Sequence, residues 1–436
     1  MALKLGKESP VNGLIFTNTQ DDKFRTETVI VRFITPIGRV MPQRYRLVSK
    51  LLSESCARFP EKKLLSKEIM RLYGAQFGAL NYSVGNYAVT GFSATSIADR
   101  FTFGGEKVTL ELARLLLDCI LEPNLTDGLF DQTSFENAKH DLITMIRKQK
   151  NNRHSYALER ARQLTFAGEP MELNTLGTLE DAEALTNECA AEAYKNLLDT
   201  AFISISFCGG GTNTEARQLI KERFTDFAKS RSYTGENIEN MTTLSKIRTE
   251  PQFVTETESQ SQSKLIIVYK FDGEDEFALR MASLIYGGTP FSKLFVNVRE
   301  KLSLCYYCQS SVSGDVNTLV VDSGVGRGNE QKAIDEIKRQ LELLKNGDFT
   351  DDELENTRRY YISAVRSAYD FSADMNAWFF RRFTRGDMLT PAEAEEMIKE
   401  VDRGRVLKAL SSLVLDTVFV YEASENGTPE NEEEEV

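Results

Sequence analysis

Histidine is almost missing from this sequence: there are two, His140 and His154, in 436 residues. His140 stands beside Asp141 in a helical pattern and His154 lies just past it in a polar stretch. Neither has a third metal ligand or an obvious nucleophile near it in the chain, so both read as surface residues. Long apolar runs are also missing. No stretch approaches the roughly 18 apolar residues of a membrane-crossing helix, and the start, MALKLGKESPVNGL, has no apolar core of the length a signal peptide needs. Six scattered cysteines do not form a disulfide framework. The expectation is a cytoplasmic protein with reduced thiols. A basic surplus is lacking too: the formal charge is −12, which argues against nucleic-acid or anionic-membrane partners. The stretch 424–436 holds six Glu and no base. It cannot bury apolar surface and is expected to be a disordered acidic tail.

Three short patterns fall short of known chemistry. Ser323–Gly328 follows a strand and precedes a helix but lacks the spacing and the Lys-Ser/Thr pair of a phosphate loop, so it reads as a tight connection, as does Gly209–Gly211. Cys305 and Cys308 have redox spacing. They open a strand, however, where residues three apart face opposite ways, and they read as ordinary half-buried cysteines. Arg381, Arg382 and Arg385 stand among Trp378, Phe379, Phe380 and Phe383, a grouping that suits a helix or partner contact.

What is present is ordinary globular composition, 41% hydrophobic and 27% charged, long enough for two or more domains. A pattern of strand, two helices, two strands and two helices occurs twice. Thr28–Thr35 is a β-branched run that predicts a buried strand. A helix follows over Arg44–Ala57, with Leu47, Val48, Leu51 and Leu52 on one face. Two strands flank Gly85-Asn86, and long helices are predicted over Lys107–Leu121 and Leu129–Lys150. The signals return later: Leu65-Ser66-Lys67 as Phe291-Ser292-Lys293, Gly85-Asn86 as Gly314-Asp315, Thr126-Asp127 as Thr350-Asp351, at offsets of 226, 229 and 224 residues. We read an α+β chain of two tandem homologous domains, 1–232 and 247–423, joined by the polar linker 233–246.

The most informative stretch is Phe291–Ser310, FSKLFVNVREKLSLCYYCQS, where a helix ends near Lys301 and a strand begins. Arg299 and Tyr306 lie across that junction. A guanidinium fork and a phenol together suit the gripping of a peptide backbone, while an Arg packed on an aromatic ring is the plainer alternative.

This stretch resembles the C-terminal signature of the pitrilysin/insulinase-like (inverzincin) peptidases, and the resemblance covers nearly the whole chain, because that family is built from a duplicated α/β roll. It implies that Arg299 and Tyr306 bind substrate backbone opposite a zinc ion. It also implies His-x-x-Glu-His on the first long helix, and there the sequence departs from the family. The corresponding residues are Arg46-Leu47-Val48-Ser49-Lys50, with bases for both imidazoles and Ser49 for the general base, and the third ligand position falls at about Met145. Met145 continues the apolar stripe of Phe135, Ala138, Leu142 and Ile146 and reads as core. The degenerate positions are therefore Arg46, Ser49, Lys50 and Met145, with no catalytic residue and no cofactor held by this chain.

Leu64–Val89 and Arg147–Asn152 resemble most an inactive bacterial branch encoded beside a zinc-bearing partner. The expected function is thus a non-catalytic, substrate-binding subunit of a heterodimeric zinc metallopeptidase, zinc residing in the partner. A homodimeric scaffold that kept the fold, in a protein-modification pathway for instance, is the alternative from another class. A relocated metal site is a third reading.

Overall fold

The structure is a computed structural model that describes residues 3–38, 41–211, 214–231, 233–235, 237–273 and 275–424. Apart from Ser424, the acidic tail expected at 424–436 lies outside the described residues.

In chain order the first half runs β1 (Lys4–Val11), β2 (Leu14–Gln20), β3 (Thr26–Pro36), α1 (Pro42–Glu54), α2 (Lys62–Arg71), β4 (Gln76–Val84) and β5 (Tyr87–Ile97). It continues with α3 (Val108–Leu121), the short pair β6 (Leu125–Thr126) and β7 (Leu129–Phe130), α4 (Gln132–Asn151), α5 (Arg153–Thr165), α6 (Leu179–Glu183), α7 (Asn187–Thr200), β8 (Phe202–Gly209) and α8 (Thr214–Ser230). The second half begins with β9 (Gln252–Glu258), β10 (Ser263–Phe271) and α9 (Glu276–Ser283). Two wide π-type helical segments follow, Leu284–Gly288 and Leu294–Lys301. Then come β11 (Cys305–Ser313), β12 (Thr318–Val325), α10 (Glu330–Lys345), α11 (Asp351–Ser367), α12 (Ser372–Thr384), α13 (Pro391–Lys399), α14 (Arg403–Ser411) and β13 (Leu413–Ala423).

Two sheets have the same plan. One is ordered β4-β5-β3-β8-β2-β1 and the other β11-β12-β10-β13-β9. In both, the first three junctions are antiparallel and the fourth is parallel, β8 with β2 and β13 with β9. The central strands are buried along their whole length. That burial explains why β10 reads as the apolar run LIIVY without alternation, while β8, FISISFCG, alternates because its Ser204 and Ser206 are buried polar side chains on the other face. The tandem duplication is therefore written in topology as well as in sequence. β1 and β2 precede the first strand that the sequence reading found. β1, KLGKESPV, is mostly exposed and carries no alternating apolar signal, so periodicity had nothing to detect.

The chain forms two compact units. The first comprises the described residues of Met1–Arg147, Leu173–Met241 and Ala368–Leu389; the second those of Lys148–Glu172, Thr242–Ser367 and Thr390–Val436. In the first unit, α1, α3, α7 and α8 pack on one sheet face around Leu47, Leu51, Leu116, Tyr194, Ile203 and Phe224. The other face packs Ile15, Ile34 and Phe202 against Phe380 and Phe383 of α12. In the second unit, α5 lays Ala157 and Ala161 on Ile266, Val268, Phe419 and Tyr421. Both alanines are fully buried, and their small side chains let the helix lie close to the strands. Each sheet thus takes a covering helix from the opposite half of the sequence.

Candidate functional site

The positions implied to have lost zinc lie in the first unit. α1 starts at Pro42, which suits a first helical position. Its apolar face, Leu47, Val48, Leu51 and Leu52, is in the core. Arg46 and Lys50 stand on the flank and reach toward α4. Ser49 is fully buried; its hydroxyl donates to the Arg46 carbonyl at 2.9 Å and accepts from Asn81 Nδ2 of β4 at 2.9 Å. Lys50 Nζ is shared between Glu54 Oε1 at 2.9 Å and Asp141 Oδ2 of α4 at 3.1 Å. Burial works against the Lys50 charge, but the hydrogen bonds to Glu54 and Asp141 outweigh it and hold the pKa above the usual lysine value.

Arg46 is different. Its Nη1 lies 3.9 Å from Met145 Sδ, a weak acceptor. Its Nε is buried and has no hydrogen-bond partner among the described residues. Burial pulls its pKa below the usual arginine value. Met145 is not core as the sequence suggested. It is 44% exposed, while Phe135, Ala138 and Leu142 are buried. The buried stripe of α4 ends at Leu142, and one turn later the helix offers Met145 to Arg46 instead of to the sheet. The structure thus brings Arg46, Ser49, Lys50 and Met145 together between α1 and α4. Two guanidinium/ammonium cations, an engaged hydroxyl and a thioether do not fit Zn²⁺, which needs imidazole, thiolate or carboxylate lone pairs. Among the described residues no group of three or more His, Cys, Asp or Glu is placed to hold a metal ion.

Arg299 and Tyr306 lie in the second unit. Arg299 is on the wide helical segment Leu294–Lys301, anchored by buried Leu294 and Val298. The Leu304 amide closes the segment onto the Val298 carbonyl at 3.2 Å. The guanidinium stacks over the Phe295 ring at 4.7 Å, with Nε 3.8 Å from Glu300 Oε1. The aromatic under the Arg is therefore Phe295, and Tyr306 on β11 stands free with 65% of its surface exposed. A β-bulge between Cys305 and Tyr307 causes this presentation. The bulge also overturns the reading of the two cysteines as facing opposite ways: both are buried. The Cys308 thiol hydrogen-bonds Cys305 and, with Ser323 and the nearby Arg299 charge, lowers the Cys305 pKa against the effect of burial.

His140 is exposed as expected. His154 is not a free surface residue: it opens α5, and its Nε2 lies 2.7 Å from Asp322 Oδ2 of β12. Tyr307 donates to the other oxygen of Asp322 at 3.1 Å. Sequence reading missed this group because 154, 307 and 322 meet only when α5 docks on the second sheet. Arg382 forms an ion pair with Asp387, and Phe379, Phe380 and Phe383 are buried within the first unit, so that cluster serves helix packing.

The fold is a duplicated, peptidase-like α+β architecture, and the positions where the resemblance implies zinc hold Arg46, Ser49, Lys50 and Met145. Residues 184–361 match the family model described as Peptidase M16 inactive domain, which bears out the resemblance to the pitrilysin/insulinase-like peptidases. It is 23% identical over 97% of its length, and 98% of the relative's, to "Probable inactive metalloprotease YmfF" of Bacillus subtilis (strain 168). A solved structure of a conserved protein from Enterococcus faecalis V583 is similar with TM-score 0.87 and 25% identity, covering 97% of this chain and 99% of that one. A peptidase M16 inactive domain from Pseudomonas fluorescens shares the fold, with TM-score 0.77 and 14% identity over 98% and 100% of the two chains.

Proposed function

We propose that this chain is the non-catalytic, substrate-binding subunit of a cytoplasmic heterodimeric metallopeptidase. Zinc and the general base come from a His-x-x-Glu-His-bearing partner chain. One observation carries the reading: the positions that would hold metal and base present Arg46, Ser49 and Lys50, the lysine already neutralised by Glu54 and Asp141. None of the three offers the imidazole, thiolate or carboxylate lone pair that Zn²⁺ needs.

The contribution of this chain is then positional. Arg299 offers two or more donors in one plane to substrate carbonyls or a carboxylate, and Tyr306 offers a hydroxyl with no intramolecular duty among the described residues. Holding a peptide still relative to a distant zinc lowers the entropic part of the barrier without supplying chemistry. In the complex with its partner, Arg299→Ala and Tyr306→Phe are each expected to cut peptidase kcat/KM by roughly tenfold, on the order of 1.4 kcal/mol. Unchanged activity in both variants sinks the gripping role. A stable homodimer that never co-purifies with a zinc-bearing chain favours the scaffold reading instead.

A further inference from the structure

We propose that the degenerate metal position has become a carboxylate-binding site, with Arg46 as its cation. The proposal deepens the peptide-binding reading by naming the class of group held there, and it rests on that reading for the source of the carboxylate.

The electrostatics single out Arg46 from its neighbours. Lys50 already has two carboxylates, Glu54 and Asp141, at 2.9 and 3.1 Å. Glu54 also accepts from Lys62 at 2.5 Å, so these acids are committed. Ser49 and Asn81 satisfy each other. Arg46 alone in this group is a cation without an anionic partner among the described residues, its guanidinium donating only weakly to a thioether sulfur at 3.9 Å. The Arg46 Nε is buried without an acceptor, a desolvated donor whose hydrogen bond to water has not been replaced. A site that keeps such a donor unpaired on its own is complementary to an acceptor brought from outside. The planar fork of Nε and Nη matches a two-oxygen planar anion. A phosphate dianion would call for a second free cation, and Lys50 is not free. The class is therefore a monovalent carboxylate, from a peptide C-terminus or from a Glu or Asp side chain.

Two measurements on the full-length chain test this separately from the peptide-binding reading. In the first, succinate is titrated while the Arg46 Nε–H resonance, assigned by its loss in Arg46→Met, is followed by NMR. A saturable shift of that resonance is expected; no shift, or one shared equally by all arginines, overturns the site. In the second, a fluorescein-labelled ten-residue Ala/Gly/Leu peptide is offered in three forms: free C-terminus, C-terminal amide, and amide with one internal Glu. Arg46 predicts that one carboxylate-bearing form binds roughly tenfold more tightly than the plain amide, and which form gains identifies the source. The preference should vanish in Arg46→Met, be partly kept in Arg46→Lys and survive in Arg299→Ala, which weakens all forms alike. Equal binding of all three forms, or a preference untouched by Arg46→Met in a chain of unchanged thermal unfolding, overturns the proposal. A saturable succinate shift with no peptide binding in any form supports the site and removes the peptide-binding reading.

Discussion

Glu27 shows how one residue can work against the fold that contains it. It lies on β3, almost wholly buried, and both carboxyl oxygens are without a hydrogen-bond partner among the described residues. Gly209 makes room for it: a Cβ there would stand 1.8 Å from Glu27 Oε2. Burial raises its pKa from 4.5 to about 7, against the attraction of Arg217, the Gly210 amide and Arg100, and with a further upward push from Asp99. Because the folded pKa is the higher one, the stability linked to this group is full below about 4.5 and declines as pH rises toward 7. Glu27→Gln removes the ionisation. Urea unfolding should find the variant more stable than the parent at pH 8 by up to about 3 kcal/mol, with the gain fading toward pH 4. A gain that is the same at both ends of that range would mean that Glu27 does not titrate as described.

At the scale of elements, β11 and β12 decide how Tyr306 is displayed. The Tyr307 ring lies over Gly324 of β12, where a Cβ would meet Tyr307 Cε1 at 2.5 Å and Gln262 Oε1 at 2.7 Å. The same ring borders the fully buried Lys264 amine at 5.9 Å, and its hydroxyl holds Asp322. Gly324→Ala must displace this ring, and with it the bulge that presents Tyr306. We expect a loss of about 1–3 kcal/mol in stability and weaker peptide binding. Full retention of both would show that the strand pair yields more easily than its packing implies.

At the scale of the molecule, the two units do not follow the two halves of the chain. α5 belongs to the second unit and α12 to the first, so each half carries a helix that covers the sheet of the other. A protease site introduced after Met241, where the chain passes from one unit to the other, should therefore yield a nicked protein that elutes as one particle in native buffer. Its fragments should part only in denaturant. Fragments that separate without denaturant would mean that the exchanged helices hold little.

By itself the sequence determined which residue types stand at each position and the plan that is repeated. Ligand identity is a property of residue type, so once the resemblance placed Arg46, Ser49 and Lys50 at the zinc positions, the expectation of no zinc there needed no coordinates. The duplicated strand and turn signals are local, and the sheets follow them. What only the tertiary structure decided are the meetings of residues far apart in the chain. Those are Met145 with Arg46 instead of the core, His154 with Asp322, the two helices exchanged between sheets, and the bulge that turns Cys305 and Cys308 to one side. Periodicity records which way a side chain points along its own element. The surface it then meets is set by how elements dock, and docking free energy is shared among many weak contacts that no single stretch of sequence contains.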